Sequence, residues 1–233
     1  LSLFGGRCHQ KIGVSIENIE LGVIDTLKGE TPDGKKINKR DFTRGESTPE
    51  ISFVNSSEYF PKSRKDINIF ERRYLKEGLN TLSEIKNSGL YISRASAISD
   101  STKINSSNTV WTSGVENWFK LAKKGIWVNG SSDGIGEIES PPVSYKKNLD
   151  WFLVSHSKSI PLDKKLLATY ELVPKKIETN LKEVTHFFWM SSSSFFEAIN
   201  QFPSIKEANH ACGLGKTFKT LNDFLPQKIE PFL

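Results

Sequence analysis

Thr109-Val110-Trp111-Thr112-Ser113, then a helix-like run from Gly114 to Lys124, then Ile126-Trp127-Val128-Asn129-Gly130 forms one copy of a pattern that the chain uses twice. The second copy is His186-Phe187-Phe188-Trp189-Met190-Ser191-Ser192, then Phe195 to Phe202, then Asn209-His210-Ala211-Cys212-Gly213. Each copy reads as an aromatic-rich strand ending in hydroxyl residues, an amphipathic helix, and a second strand ending in glycine. From Leu90 onward short strands alternate with helices, the pattern of a layered α/β region. In an open parallel sheet, strand C-terminal ends and the helix N-termini that follow them face one crevice, where ligands bind. Hydroxyls and free amides at such helix starts suit carboxylates.

Ahead of this region the pattern is different. Gly13 to Glu17, Gly22 to Leu27 and Lys35 to Lys39 read as three short strands, the last two separated by the turn Thr31-Pro32-Asp33-Gly34. They follow a glycine-rich loop, Leu3-Phe4-Gly5-Gly6-Arg7-Cys8-His9-Gln10-Lys11, in which cationic neighbours favour the thiolate of Cys8. An ordinary half-exposed cysteine on a turn is the alternative reading of that residue. Arg40 to Asp66, rich in Ser, Pro, Asn and charge, reads as a connector. Ile67 to Ser88 has apolar residues at helical spacing, ends at Gly89, and predicts a helix. The expected fold class is therefore a small α+β N-terminal domain with a three-stranded sheet, followed by an α/β region of two Rossmann-like halves with a cleft between them. The expected boundaries are 1–40, a connector and helix over 41–88, and 89–233, with halves at 101–174 and at 89–100 plus 175–233.

The 233 residues, 36% hydrophobic, are enough for two or three small cores, and no stretch approaches the length of an apolar membrane span. Two cysteines in unrelated contexts argue against a disulfide framework and for a reducing cytoplasm. Because the chain starts at Leu1 and stops at Leu233, it is expected to be a fragment of a longer reading frame. The formal charge of +5 has two readings, a solvated lysine surface or a field that steers a polyanion. Nucleic acid is disfavoured, since the chain has no dense basic helix, zinc pattern or aromatic sheet motif.

The N-terminal loop and strands resemble the cofactor domain of hydroxymethylbilane synthase (porphobilinogen deaminase), on Gly5, Gly6, Cys8, Ile12 and Gly13 and on the Pro32-Asp33-Gly34 turn between strands. That resemblance implies a dipyrromethane attached to Cys8 through a thioether, and a transferase whose catalytic domains lie upstream in the same chain. From Leu90 onward the chain is similar to uroporphyrinogen-III synthase. Thr112-Ser113 and Ser191-Ser192 match the two Thr-Ser strand ends of that family, Gly213 to Thr217 its glycine-threonine element, Leu90 to Arg94 its opening strand, and Ala168 to Pro174 its tyrosine-containing crossover. The family's helix, strand and crossover between its opening strand and first Thr-Ser element are reduced here to the Ser- and Asn-rich link from Arg94 to Trp111.

The resemblance implies a cytoplasmic lyase of porphyrin (heme) biosynthesis that needs no metal or redox cofactor and acts on a linear tetrapyrrole. Arg94, Thr112, Ser113, Ser191, Ser192 and Thr217 are the expected substrate contacts. Tyr170 is the expected aid to the leaving hydroxyl, with core packing as its alternative, and the serine run from Ser191 has a bare helix cap as its alternative. A non-catalytic tetrapyrrole-binding module attached to a deaminase remains the other functional reading. Gly213-Leu214-Gly215-Lys216-Thr217 lacks the first glycine of a phosphate-binding P-loop, since His210 stands in that position. His156, His186 and His210 lack metal-ligand spacing with Cys212 or acidic residues.

Overall fold

The computed structural model describes residues 11–19, 21–46, 59–62, 66–132 and 149–232. Among the described residues the strands form three sheets. The first is an antiparallel meander of β1 (Lys11–Ile19), β2 (Gly22–Glu30) and β3 (Lys36–Arg44). Its β2–β3 turn is built as the sequence implies. The Thr31 hydroxyl donates to Lys35 O at 3.1 Å, the Gly34 N–H donates to Thr31 O at 2.9 Å, and Gly34 takes the positive φ of 83° that favours glycine.

The second sheet has six strands. β4 (Phe70–Tyr74) is followed by helix α1 (Lys76–Glu84), β5 (Gly89–Ile92), β6 (Thr109–Thr112), helix α2 (Val115–Lys123), β7 (Gly130–Ser131), β8 (Trp151–His156) and β9 (Lys165–Pro174). The spatial order is β4-β9-β8-β5-β6-β7, parallel except for the antiparallel β4–β9 pair. The third sheet consists of β10 (His186–Trp189), β11 (Asn209–Gly213) and β12 (Ile229–Phe232), all parallel. Helix α3 (Ser192–Gln201) follows β10 and helix α4 (Lys216–Phe224) follows β11. Phe60 extends this sheet by a parallel bridge to Phe187.

Each parallel sheet has its own core. Leu82, Leu90, Ile92, Val110, Leu121 and Val154 centre the first, and Phe187, Trp189, Phe195, Ile199, Cys212 and Leu221 the second. The β4–β9 ladder runs between them: Tyr170 belongs to the first core, Ile69 and Ile177 to the second, and the Lys175 N–H donates to Ile69 O at 2.8 Å. The meander joins the second core's outer side, where Ile24 and Phe42 pack on Leu214 and Phe218.

Three expectations are corrected. The predicted helix over Ile67 to Ser88 is a strand followed by a shorter helix, because Phe70 to Tyr74 finds a partner strand in Pro174 to Tyr170, about a hundred residues away in sequence. Gly89 does not stop that helix. It opens β5 with the Trp151 ring lying against it, so that a Cβ would sit 2.2 Å from the ring. The second strand expected over Ile126 to Gly130 is reduced to Gly130–Ser131, because the Asn129 side chain and backbone together take the place of a ladder partner for Val110, at 2.8 Å in each direction. Finally, residues 89–92 lie between β6 and β8 in the six-stranded sheet rather than with 175–233, since a fully buried Gly-Leu-Tyr-Ile run suits a strand with parallel neighbours on both sides. No helix among the described residues is long and apolar enough to cross a membrane.

Candidate functional site at the strand ends

Parallel pairing brings the C-terminal ends of β5, β6 and β8 side by side, and each ends in hydroxyl residues. The Ser93 hydroxyl lies 2.9 Å from Ser155 Oγ and 3.1 Å from Val154 O. Ser159 donates to Ser155 Oγ at 2.8 Å, and Ser113 donates to Ser93 O at 2.8 Å. Asn117, in the first turn of α2, donates to Ser113 Oγ at 2.8 Å and accepts the Ala95 N–H at 3.1 Å. Four serines and one amide thus form a continuous polar network across three strand ends.

Cationic groups border this network. Arg94 is exposed immediately after Ser93. The His156 imidazole is held below its usual range, first by burial and then by the charges of Arg94 and Lys158. Its Nδ1 is out of solvent with no hydrogen-bond partner. Arg72, on the adjoining β4, places its guanidinium 4.7 Å from the centre of the Tyr170 ring, and the His156 ring meets Tyr170 edge-on at 5.9 Å.

The expected site residues fall into three groups. Arg94 and Ser113 belong to the network just described. Ser191, Ser192 and Thr217 lie at the C-terminal ends of β10 and β11, where Ser191 caps α3 by accepting the Ser194 N–H at 3.4 Å, Ser192 begins that helix, and Thr217 is in the first turn of α4. Lys216, next to Thr217, donates through Nζ to Ile160 O, one residue beyond Ser159 in the loop that follows β8. Thr112 and Tyr170 are internal. The Thr112 hydroxyl donates to Ile92 O at 2.9 Å and ties β6 to β5, while Tyr170 is 2% exposed. Cys8 lies outside the described residues.

Ser93, Asn117, Ser155 and Ser159 are not among the residues expected at the site from sequence, and His156 is weighed there only as a metal ligand. The run Ser155-His156-Ser157-Lys158-Ser159 straight after an apolar strand is the signal that marks it, and Ser93 stands beside the expected Arg94. Among the described residues no three His, Cys, Asp or Glu side chains gather as a metal site would require. Cys212 is buried in β11 with its thiol pushed up to about 12 by burial, which leaves it a core residue rather than a nucleophile.

No protein-family model matches the chain, and no curated protein matches it. No family match therefore supports a deaminase-type domain over residues 1–40. Among solved structures, a mutant uroporphyrinogen III synthase from the extreme thermophile Thermus thermophilus is similar at a TM-score of 0.47 and 11% sequence identity, over 70% of this chain and 79% of that one. A likeness of that extent assigns neither an activity nor a site to this chain.

Proposed function

We propose that this chain binds a linear tetrapyrrole bearing many carboxylates and closes it in the manner of a uroporphyrinogen-III synthase. The observation that carries this reading is the Ser93–Ser113–Ser155–Ser159 network at three parallel strand ends, bordered by Arg94 and Lys158. Cations beside hydroxyl-lined strand ends suit a flexible polyanion, for which Ser113 and Ser159 exchange their present acceptors, Ser93 O and Ser155 Oγ, for ligand oxygens. The reaction would be loss of the terminal hydroxyl from hydroxymethylbilane, inversion of the last ring and closure to uroporphyrinogen III. The protein's part in it is to hold one reactive geometry and to stabilise the cation left by hydroxide loss, which is positioning and electrostatics.

In this reading the ligand lies between the ends of the two parallel sheets. Arg94 and Ser113 meet it from one side, and Ser191, Ser192 and Thr217 from the other. Thr112 acts through the placement of Ser113, since its own hydroxyl is bonded inside the sheet. Dipyrromethane on Cys8 belongs to a chain that also carries the deaminase domains, and is tested by intact mass of such a chain.

One observation favours the second reading, binding without turnover. Tyr170, the expected aid to the leaving hydroxyl, is packed between Arg72 and His156 in the first core. One assay separates the two. Fresh hydroxymethylbilane is supplied and the uroporphyrin isomers are resolved after oxidation. Isomer III above the spontaneous background is the result expected of the synthase. Saturable binding with isomer I alone marks the binding module, and neither turnover nor binding overturns both.

A further inference from the structure

Helix α2 carries more apolar surface than its core uses. A helix that lies on a sheet turns one apolar stripe to the core and keeps the rest polar. In α2 only Leu121 is buried, while Val115 and Trp118 are each 37% exposed, Phe119 is 64% exposed and Ala122 is exposed. At about 100° per residue these four side chains fill one continuous sector of the helix. Glu116 and Lys123, both exposed and two turns apart, border that sector on the Phe119 side. Exposed aromatic side chains in a contiguous apolar patch mark a contact surface.

We infer that α2 is a contact between two copies of this chain, packed antiparallel about a twofold axis that passes beside Phe119. A twofold contact is self-complementary, so each end of the helix meets the opposite end of its counterpart. Antiparallel packing sets Glu116 of one copy against Lys123 of the other, and Lys123 against Glu116, while the two Phe119 rings meet at the axis. The Glu116 carboxylate, 3.3 Å from Lys120 Nζ in its own helix, gains a second cation there. A lipid surface fits these charges less well, because it favours an unopposed basic face. On α2, Lys120 is matched by Glu116, and Lys124 just beyond the helix by Asp100 at 2.9 Å. Four apolar side chains are far fewer than the roughly 20–30 residues a side of a standard interface, so the pair is weak and reversible. Asn117, on the far side of the helix, keeps its bond to Ser113. The pairing therefore stands or falls separately from the cyclisation reading.

The test is sedimentation velocity of the full chain from about 10 µM to about 1 mM, the range of weak complexes. A monomer that converts to a dimer as concentration rises is the expected result. Phe119→Lys, which sets two like charges together at the axis, weakens the dimer about tenfold or more, as loss of a central aromatic contact does. Glu116→Lys and Lys123→Glu each weaken it about fivefold, since the axis repeats every charge pair. The double variant, with the two charges exchanged, returns to the wild-type dissociation constant. All three positions are exposed, so thermal midpoints stay near the wild-type value, and where Phe119→Lys lowers its own midpoint the charge exchange decides alone. A chain that stays monomeric up to about 1 mM overturns the contact. So does a dimer that the single variants leave unchanged, or a double variant as weak as either single one. A monomeric chain that sediments with vesicles of phosphatidylserine and phosphatidylcholine, and loses them on Phe119→Lys, overturns it in favour of a lipid surface.

Discussion

Ser93 Oγ and Ser155 Oγ lie 2.9 Å apart across the ends of β5 and β8, and this contact makes the serines of separate strands one network. Ser155 is 4% exposed and takes hydrogen bonds from both Ser93 and Ser159. Ser155→Ala takes the acceptor from Ser159, while Ser93 keeps Val154 O, and lowers stability by about 1 kcal/mol, the usual net value of a hydrogen bond, which urea unfolding measures. Under the proposed function it also weakens hydroxymethylbilane binding, whereas Ser157→Ala, at an exposed neighbouring position, changes neither.

Ser191→Ala with Ser192→Ala tests the far side of the proposed cleft. Loss of the Ser191 cap costs about 1 kcal/mol of stability. A drop in tetrapyrrole affinity on top of that loss is expected. Unchanged affinity in the double variant removes both serines from the ligand site and leaves Ser191 a helix cap.

Gly78 tests packing against propensity. It lies inside α1, where alanine is favoured by about 1 kcal/mol. A Cβ there would sit 1.8 Å from Ala168 O, a backbone atom of β9 that cannot swing away. Gly78→Ala is therefore expected to destabilise, by about 1–3 kcal/mol as other overpacked sites do. Denaturant midpoints check the sign, and a stabilised variant would show that α1 and β9 are not in this close contact.

His210 predicts a pH dependence. Trp189 Nε1 donates to His210 Nδ1 at 2.9 Å, so the ring proton sits on Nε2, 2.9 Å from Ile205 O. Burial holds the imidazole below its usual range, despite the opposing Ile205 hydrogen bond. With the folded pKa below the unfolded value of about 6.5, the unfolded chain takes up the proton first as pH falls. The stability contribution is complete above that value and declines as pH drops through the folded pKa. His156 shifts in the same direction, so unfolding is followed in the His156→Gln background, over roughly pH 5–8, the range that brackets an ordinary imidazole. A further His210→Gln change flattens the remaining slope.

Cys212 predicts selective protection. With its thiol pushed up to about 12 in a buried strand, it resists alkylation in the native chain and reacts once urea unfolds it. Peptide mass spectrometry reads Cys212 apart from Cys8. Rapid native labelling at Cys212 would contradict its place in the second core.

Much of the fold is legible along the chain wherever neighbours in sequence determine conformation. The three meander strands and their Thr31–Lys35 turn, the strands at Thr109 and Asn209, and helices α2 and α3 follow from period and turn residues, and α3 also from its Ser191 cap, which are local properties. Serines 113, 191 and 192 were legible as site candidates for the same reason, since a hydroxyl at a strand-to-helix junction needs no distant partner to be recognised.

Tertiary structure decided what depends on partners far away in sequence. Phe70 to Tyr74 has helical spacing but became a strand because β9 offers it a ladder. Residues 89–92 joined the six-stranded sheet because only there are both their edges paired. The Thr112 hydroxyl turned inward to Ile92 O, and Ser93, Ser113, Ser155 and Ser159 converged, because parallel pairing aligns strand ends regardless of the chain length between them. Periodicity records which residues share a face. Only strand order and register determine which faces and ends meet.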